Sequence, residues 1–413
     1  MAFDPRQIMK AFPILESGTG KNTLHYLDNA ATAQVPNAVI NAMVAHDAGR
    51  RANVKRGIHR LAESATAAYE NARESVARFI GVQNPAEIIF TSGTTHGINL
   101  LAHSLGNTLK PGDEILLSPV EHHSNLVPWQ MLQDRFGIHI NFLPMDDNGL
   151  IDTGSITEYI TPRTRIVSLS HGSNVTGALT DTAALGDAVH EHGAVLILDG
   201  AQVIPHGPVD LPALKADFYV FSGHKAYGPS GIGVLWGRME QLEKVSPVFS
   251  GGEMIGDVKL LTSTYAEIPH RFEAGTPPIT QAVGLGAALD WLHRLDQPGL
   301  NRHLMTLTTQ VINGLQHLSV ESNAIRIIHP AMDTGRLPII SFIVRGIHPH
   351  DVCQFLSDRY DIALRGGFHC AQPLHEQLGL PEGSTRVSLA AFNTQEDVDI
   401  LLEGIAECMR ILL

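Results

Sequence analysis

The sequence is poor in cysteine and has no apolar run that approaches a membrane span. Only three cysteines (Cys353, Cys370 and Cys408) occur in 413 residues, and their spacing forms no paired disulfide pattern. Residues 1–14 include charged side chains and lack the apolar core of a signal peptide. We therefore expect a protein that works in the reducing cytoplasm.

Motifs for several common kinds of site are also absent. No GxGxxG or GxxxxGK[ST] pattern occurs, so dinucleotide-binding and P-loop functions lack their fingerprint. The 22 histidines come without HExxH or CxxC spacing, and the neighbours His122 and His123 cannot share one face of a strand. We therefore expect no metal site. The formal net charge of -13 disfavours nucleic acid or an anionic membrane as the main partner.

The sequence does contain a regular alternation of apolar runs and helical segments, which is typical of an α/β fold. This rhythm predicts a large, mostly parallel sheet with helices on both faces. The apolar runs lie at 88–90, 114–117, 138–143, 165–169, 194–198, 218–221 and 232–236. We expect a large domain at 24–295 and a smaller α+β domain formed by 1–23 and 296–413. In a sheet of this kind the ligand binds at the carboxyl ends of the strands.

One lysine occupies an unusual position at such a strand end. Lys225 follows the apolar run 218–221 in the stretch DFYVFSGHKAYGPSGIG, between glycines and hydroxyl side chains. An ordinary lysine, with a pKa of about 10.4, is a free amine in roughly one molecule in two thousand at pH 7. Partial burial or a neighbouring cation lowers that pKa and produces an imine-forming nucleophile. Taken alone, the stretch also fits a lysine whose stem packs on the strand while its charge reaches solvent.

Two other strand ends carry groups that suit a phosphorylated cofactor. Asp199 ends the run 194–198, where a buried carboxylate needs a cationic or protonated partner. The protonated ring nitrogen of pyridoxal phosphate (PLP) is such a partner. The segment 92–95 precedes a helix and offers backbone N–H groups and hydroxyls to a phosphate. Ser222 and His224, on either side of Gly223 just before Lys225, could complete the phosphate site. Each signal alone also fits a helix cap or turn, but together with Lys225 they favour PLP.

The chain is similar to a known family from about Leu24 to its C-terminus. The motifs that carry this similarity are LDNAAT, RGIH, SGTTHGIN, EHHSNLVPW, SNVTG, LDGAQ, FSGHKAYGPSGIG, FEAGTP, LRGGFHCAQP and TRVSLAAFN. The sequence resembles the group II cysteine desulfurases and selenocysteine lyases (SufS-type), in the class V aminotransferase branch of the fold type I PLP enzymes. The resemblance implies that fold, PLP as cofactor, an obligate homodimer and a protein that accepts the sulfur.

The resemblance also implies roles for the residues that match the family's motifs. Lys225 would bind PLP covalently and move the substrate proton, while Asp199 would pair with the ring nitrogen. The cofactor site would comprise Thr94, Thr95, His122, Asn174, Asp199, Gln202, Ser222, His224 and Lys225, with Thr276 reaching the phosphate bound in the partner subunit. The substrate would contact Arg386, Asn174 and Arg365, and the catalytic residues would be Lys225, Cys370 and His122.

Cys370 distinguishes a desulfurase from a transaminase. It lies in the glycine-containing loop 365–373, and we expect its thiolate to attack the sulfur of L-cysteine, leaving L-alanine and a Cys370 persulfide. A small buried hydrophobe is the alternative for any lone cysteine, and we prefer it for Cys353 and Cys408. Three other functions stay open: a selenocysteine lyase, another PLP aminotransferase or carbon–sulfur lyase, and a non-enzymatic scaffold that binds sulfur carriers.

Overall fold

The computed structural model describes residues 3–17, 23–55, 57–182, 185–329 and 335–413. Arg56, which belongs to the RGIH motif, lies outside the described residues, as does the segment 18–22 of the expected small domain. Within the described ranges no helix combines the length and the apolar character needed to cross a bilayer. The expected domain boundaries remain a prediction.

Strands and helices alternate through most of the chain. The strands are β1 His25–Tyr26, β2 Ile88–Thr91, β3 Glu114–Leu117, β4 His139–Phe142, β5 Thr164–Ser170, β6 Val195–Asp199, β7 Phe218–Ser222, β8 Gly233–Gly237, β9 Ile255–Val258, β10 Ser263–Tyr265, β11 Ile325–Ile328, β12 Ile339–Val344, β13 Ile362–Ala363, β14 Arg365–Gly367 and β15 Ser384–Ser388. The helices are α1 Pro5–Met9, α2 Pro13–Ser17, α3 Asn37–Gly49, α4 Arg60–Phe79, α5 Thr94–Gly106, α6 Val127–Phe136, α7 Ile156–Tyr159, α8 Leu185–Glu191, α9 Leu211–Leu214, α10 Met239–Leu242, α11 Ile279–His293, α12 Gln297–Ser322, α13 Pro349–Tyr360, α14 Gln372–Gln377 and α15 Gln395–Leu412. Each predicted apolar run coincides with one of β2 to β8 to within about one residue at either end.

The large sheet has seven strands in the order β2-β8-β7-β6-β5-β3-β4. Neighbouring strands are parallel except at β8, which runs antiparallel to both β2 and β7. The prediction of a mostly parallel sheet is therefore confirmed. Parallel pairing aligns Ser170 at the end of β5 with Asp199 at the end of β6, and Asp199 with Val220 in β7. The ends of these three strands thus meet at one edge of the sheet.

Both faces of this sheet are buried along its central strands, where alternate residues point to opposite faces. In β6, Leu196 and Leu198 pack into one hydrophobic core, while Ile197 packs into the other. In β7, Tyr219 and Phe218 divide in the same way. Burying an aliphatic or aromatic side chain of this size contributes about 1.5–3 kcal/mol, so these strands form a rigid support for the loops at their ends.

A second sheet carries residues from the C-terminal part of the chain to the same edge. It is antiparallel, with four strands in the order β11-β12-β15-β14. Its register places Arg386 in β15 directly opposite Arg365 in β14. The final helix begins with a capping box, in which the side chains of Thr394 and Asp397 each accept a hydrogen bond from the other residue's backbone N–H.

Candidate active site

One cavity lies at the edge where β5, β6 and β7 end. Its volume is about 240 Å³, and it opens to solvent. Its walls come from both sheets, which is why residues far apart in sequence meet there. The predicted site residues found on these walls are Thr94, Thr95, His122, Asn174, Asp199, Gln202, Ser222, His224, Lys225, Arg365, Cys370 and Arg386.

Thr276 lies elsewhere in the protomer. It borders a second opening, which it shares with Asp47, Arg51 and the start of α11. The expectation that Thr276 reaches the cofactor of a partner subunit therefore stays a prediction.

Lys225 ends a short 3-10 turn directly after β7. Burial lowers the pKa of its amine to about 8, and the positive charges of Arg386 and Arg365 act in the same direction. The negative charge of Asp199 opposes this shift, as would a negative charge on the sulfur of Cys370. At a pKa of about 8, roughly one amine in ten is free at pH 7, far more than for an ordinary lysine. Lys225 is therefore a nucleophile at neutral pH.

Asp199 is the last residue of β6, and only 5% of its surface is exposed. Its Oδ1 accepts a hydrogen bond of 2.9 Å from the backbone N–H of Ala201. Burial raises the pKa of the carboxyl group, while the Ala201 hydrogen bond and the charge of Lys225 oppose that rise. An anion held in this position is stabilised when a cationic N–H group is placed against it.

The start of α5 forms a cradle for an anion. The backbone N–H of Thr94 donates to Ser222 Oγ at 2.8 Å, and the two hydroxyl oxygens also lie 2.8 Å apart. Gly93 has a φ of +149°, and a Cβ atom on Gly233 would lie 2.5 Å from Gly93 Cα. The backbones of Gly93 and Gly233 therefore pack directly on each other, and a side chain at Gly233 would push the start of α5 away from β8. The helix end and its hydroxyls suit a phosphate.

His122 presents a neutral imidazole on the cavity wall. Burial, followed by the charge of Lys225, lowers its pKa to about 3. Its Nδ1 accepts a hydrogen bond of 3.1 Å from the backbone N–H of Ser124, so the ring proton resides on Nε2. A flat, uncharged ring in a fixed orientation suits stacking against an aromatic ligand.

Arg386 is buried at the side of the cavity, with 2% of its surface exposed. Its Nη1 donates to the carbonyl oxygen of Asn174 at 3.0 Å, and its Nη2 donates to Asp28 Oδ1 at 3.0 Å. Its buried Nε has no hydrogen-bond partner within the described part of the chain. The guanidinium is thus held firmly and retains donor capacity for a carboxylate.

Replacing Arg386 with lysine is expected to raise KM for the amino-acid substrate by about ten- to hundredfold, because the planar fork and its charged hydrogen bonds are lost. We expect kcat to fall less than KM rises. Steady-state kinetics of the holoenzyme measures both constants. Arg359→Lys, at an exposed ion pair with Glu407, is the matched control and should leave KM unchanged. An unchanged KM in Arg386→Lys would exclude this role for Arg386.

Cys370 brings a free, exposed thiol to the same cavity. A negative charge on this sulfur would partly oppose the lowering of the pKa that burial causes at both Lys225 and Arg386. The other two cysteines differ, because burial raises the pKa of Cys353 to about 12 and that of Cys408 to about 11. Those two thiols stay protonated and unreactive at neutral pH.

These side chains fit PLP by their chemistry. A lysine with a lowered pKa suits the aldehyde, a buried carboxylate suits a protonated ring nitrogen, and the start of α5 suits the phosphate. The neutral ring of His122 suits the aromatic plane. The seven-stranded sheet with its reversed strand, together with this set of residues, defines a PLP enzyme of fold type I.

Comparison with known proteins agrees with this class. The sequence profile of the family "Aminotransferase class-V" matches residues 25–401. A probable cysteine desulfurase from Streptomyces coelicolor is 43% identical over 408 residues, which cover 97% of this chain and 96% of the relative. The crystal structure of the cysteine desulfurase CsdA from Escherichia coli superposes with a TM-score of 0.91 at 39% identity, covering 100% of both chains. A cysteine desulfurase from Thermococcus onnurineus gives a TM-score of 0.92 at 36% identity, covering 99% of this chain and 100% of that one.

The chain therefore belongs to the class-V aminotransferase family, within the branch that holds these cysteine desulfurases. The resemblance drawn from the motifs is confirmed at this level, and so is PLP as the cofactor. The roles of individual residues, by contrast, remain proposals that follow from their positions.

Proposed function

We propose that this protein is a PLP-dependent cysteine desulfurase, which converts L-cysteine to L-alanine and leaves the sulfur as a persulfide on Cys370. One observation carries this proposal: a free thiol, a lysine with a lowered pKa and a buried arginine share a single cavity. A transaminase needs the lysine and the arginine but has no use for a thiol. The relatives named cysteine desulfurase support the same activity.

Substrate binding is the task of Arg386. Its guanidinium, fixed by Asp28 and the Asn174 carbonyl, would hold the α-carboxylate of cysteine. Because Lys225 and Cys370 line the same cavity, this contact would leave the α-carbon within reach of Lys225 and the sulfur within reach of Cys370. When bound, PLP supplies an electron sink adjacent to the α-carbon.

Lys225 and Cys370 would then divide the chemistry. The free amine of Lys225 takes the α-proton, which its pKa of about 8 allows near neutral pH. The Cys370 thiolate attacks the substrate sulfur, so that a sulfur–sulfur bond forms as the substrate's carbon–sulfur bond breaks. The electron pair of the broken bond stays with the carbon skeleton, which is protonated to alanine. The transferred sulfur remains on Cys370 until an acceptor takes it.

We further propose a homodimer that delivers sulfur to an acceptor protein, for processes such as iron–sulfur cluster assembly. The hairpin of β9 and β10 supports the dimer, because its apolar tip residues Leu260 and Leu261 are almost fully exposed in the protomer. The position of Thr276 at a second opening supports it as well. A cytoplasmic location remains a prediction.

Product analysis tests the proposed function. The holoenzyme, supplied with L-cysteine and a reducing thiol, is expected to yield alanine and sulfide in equal amounts. Pyruvate and ammonia in place of alanine would instead show a carbon–sulfur lyase. Purified protein that retains no PLP, and so stays colourless once unbound PLP is removed, would support a non-enzymatic scaffold that binds sulfur carriers.

The capture of PLP by the apoprotein is expected to depend on pH through the lowered pKa of Lys225. The free amine reacts and the ammonium does not, so the rate should rise about tenfold per pH unit below pH 8 and level off above it. Borohydride reduction at timed intervals, followed by mass spectrometry of the Lys225 peptide, measures this rate without any turnover. A rate that continues to climb to pH 10 would show that Lys225 has an ordinary pKa.

A further inference from the structure

The backbone at Cys370 adopts a conformation that L-residues rarely hold. His369 has a φ of +50° and Cys370 a φ of +58°, so two consecutive non-glycine residues are left-handed. Such a pair persists only when surrounding contacts hold it in place. The thiol of Cys370 is exposed, so packing around that side chain does not supply the restraint. The contacts that fix the backbone on either side of the thiol therefore decide where it points.

Hydrogen bonds from outside the loop provide this restraint. The side-chain nitrogen of Asn174 donates to the His369 carbonyl at 2.6 Å. The backbone N–H of His123 donates to the Cys370 carbonyl at 2.7 Å. The backbone N–H of Gln372 donates to Nε2 of the His123 ring at 3.2 Å. His123 thus bonds the chain both at Cys370 and two residues beyond it.

The two neighbouring histidines have different surroundings. His122 lines the cavity, and its Nδ1 accepts from Ser124. The ring of His123, whose centroid is 6.3 Å from that of His122, instead meets the loop that carries Cys370. An amide N–H can only donate, so His123 Nε2 is unprotonated in this contact. His123 is not among the residues that line the cavity in the described part of the chain.

We propose that His123 is a positioning residue, which holds the Cys370 thiol in the orientation from which it attacks the substrate sulfur. The inference rests on the proposed function, because it assigns His123 to the sulfur-transfer step of that reaction. It places His123 outside cofactor capture and substrate binding, since the ring contacts the nucleophile loop and not the cavity. A variant without the ring acceptor should therefore slow persulfide formation and leave the earlier steps intact.

Two variants of the holoenzyme test this assignment. His123→Phe keeps a flat ring but removes the acceptor, whereas His123→Gln places a carbonyl oxygen at a comparable distance from the backbone. Both keep the backbone N–H that bonds Cys370. In a single turnover with L-cysteine, we expect His123→Phe to form the Cys370 persulfide about two- to tenfold more slowly than wild type, the range set by one hydrogen bond. His123→Gln should recover most of the wild-type rate.

Two further readouts separate positioning from a general loss of structure. The change in cofactor absorbance when cysteine is added should keep its wild-type rate and amplitude in both variants. The rate at which iodoacetamide alkylates Cys370 should differ from the wild-type rate in His123→Phe. In His123→Gln this rate should return toward the wild-type value. Equal persulfide rates in His123→Phe and wild type would overturn the proposal. Equal losses in both variants, or a matching loss in the absorbance change, would do the same.

The wild-type arm of the experiment tests the proposed function by itself. If wild-type holoenzyme forms neither persulfide nor alanine, the desulfurase assignment fails, and the role of His123 falls with it. If wild type forms both products but His123→Phe behaves identically, only the role of His123 is wrong.

Discussion

Replacement of Lys225 by alanine is expected to lower the turnover of L-cysteine by about 10³-fold or more, because one amine both bonds the cofactor and moves the α-proton. The structure gives this lysine its reactivity through burial and through the nearby charges of Arg386 and Arg365. A second, independent consequence is that reduction with borohydride should no longer attach PLP covalently to the chain. Steady-state alanine formation and peptide mass spectrometry measure the two effects.

Lys244→Ala is the matched control, since Lys244 is an exposed surface lysine. It should retain wild-type turnover and PLP attachment. If Lys225→Ala turned over at the wild-type rate, neither the proton transfer nor the covalent link could be assigned to this residue.

Replacement of Cys370 by alanine is expected to lower alanine formation from L-cysteine by about 10²-fold or more, because the nucleophile that accepts the sulfur is removed. Cofactor binding and the absorbance change on adding cysteine should persist, since Cys370 contributes one wall of the cavity and no group to the cofactor cradle. Cys353→Ala is the control: burial raises the pKa of that thiol to about 12, so it contributes no nucleophile.

The same variant distinguishes sulfur from selenium chemistry. A selenocysteine lyase would release selenium with little need for Cys370, so Cys370→Ala would remain active on L-selenocysteine. Equal losses on L-cysteine and L-selenocysteine would rule out an enzyme built first for selenium. Full activity of Cys370→Ala on L-cysteine would exclude persulfide formation at this residue.

The large sheet could be predicted because its central strands are buried on both faces and therefore appear as short apolar runs. The same patterns placed Asp199 and Lys225 at strand ends, where parallel pairing brings them together. The reversal of β8 was not foreseen, since an apolar run does not reveal the direction of its strand. The length of α12, Gln297–Ser322, was not predicted either. Its start does carry a local signal, because the Asp296 side chain caps the first turn by accepting a hydrogen bond from the Gly299 N–H.

Long-range pairing also limited what the sequence could reveal about the site. Asp28 fixes Arg386 from 358 residues away, and no local pattern marks either residue as the partner of the other. The contact between His123 and Gln372 spans 249 residues and depends on how two loops meet. His123 drew attention in the sequence only as the neighbour of His122, on the assumption that both lie in a strand. The structure instead places His122 at the cap of a short 3-10 turn and His123 at its first residue.

The central claim is that Cys370 takes sulfur from L-cysteine bound in the Lys225 cavity, and mass spectrometry tests it most directly. The holoenzyme is incubated briefly with L-cysteine, alkylated and digested, and the Cys370 peptide is weighed. We predict that this peptide gains the mass of one sulfur atom, that the Cys353 and Cys408 peptides do not, and that Lys225→Ala abolishes the gain. An unmodified Cys370 peptide from enzyme that has released alanine would contradict the account.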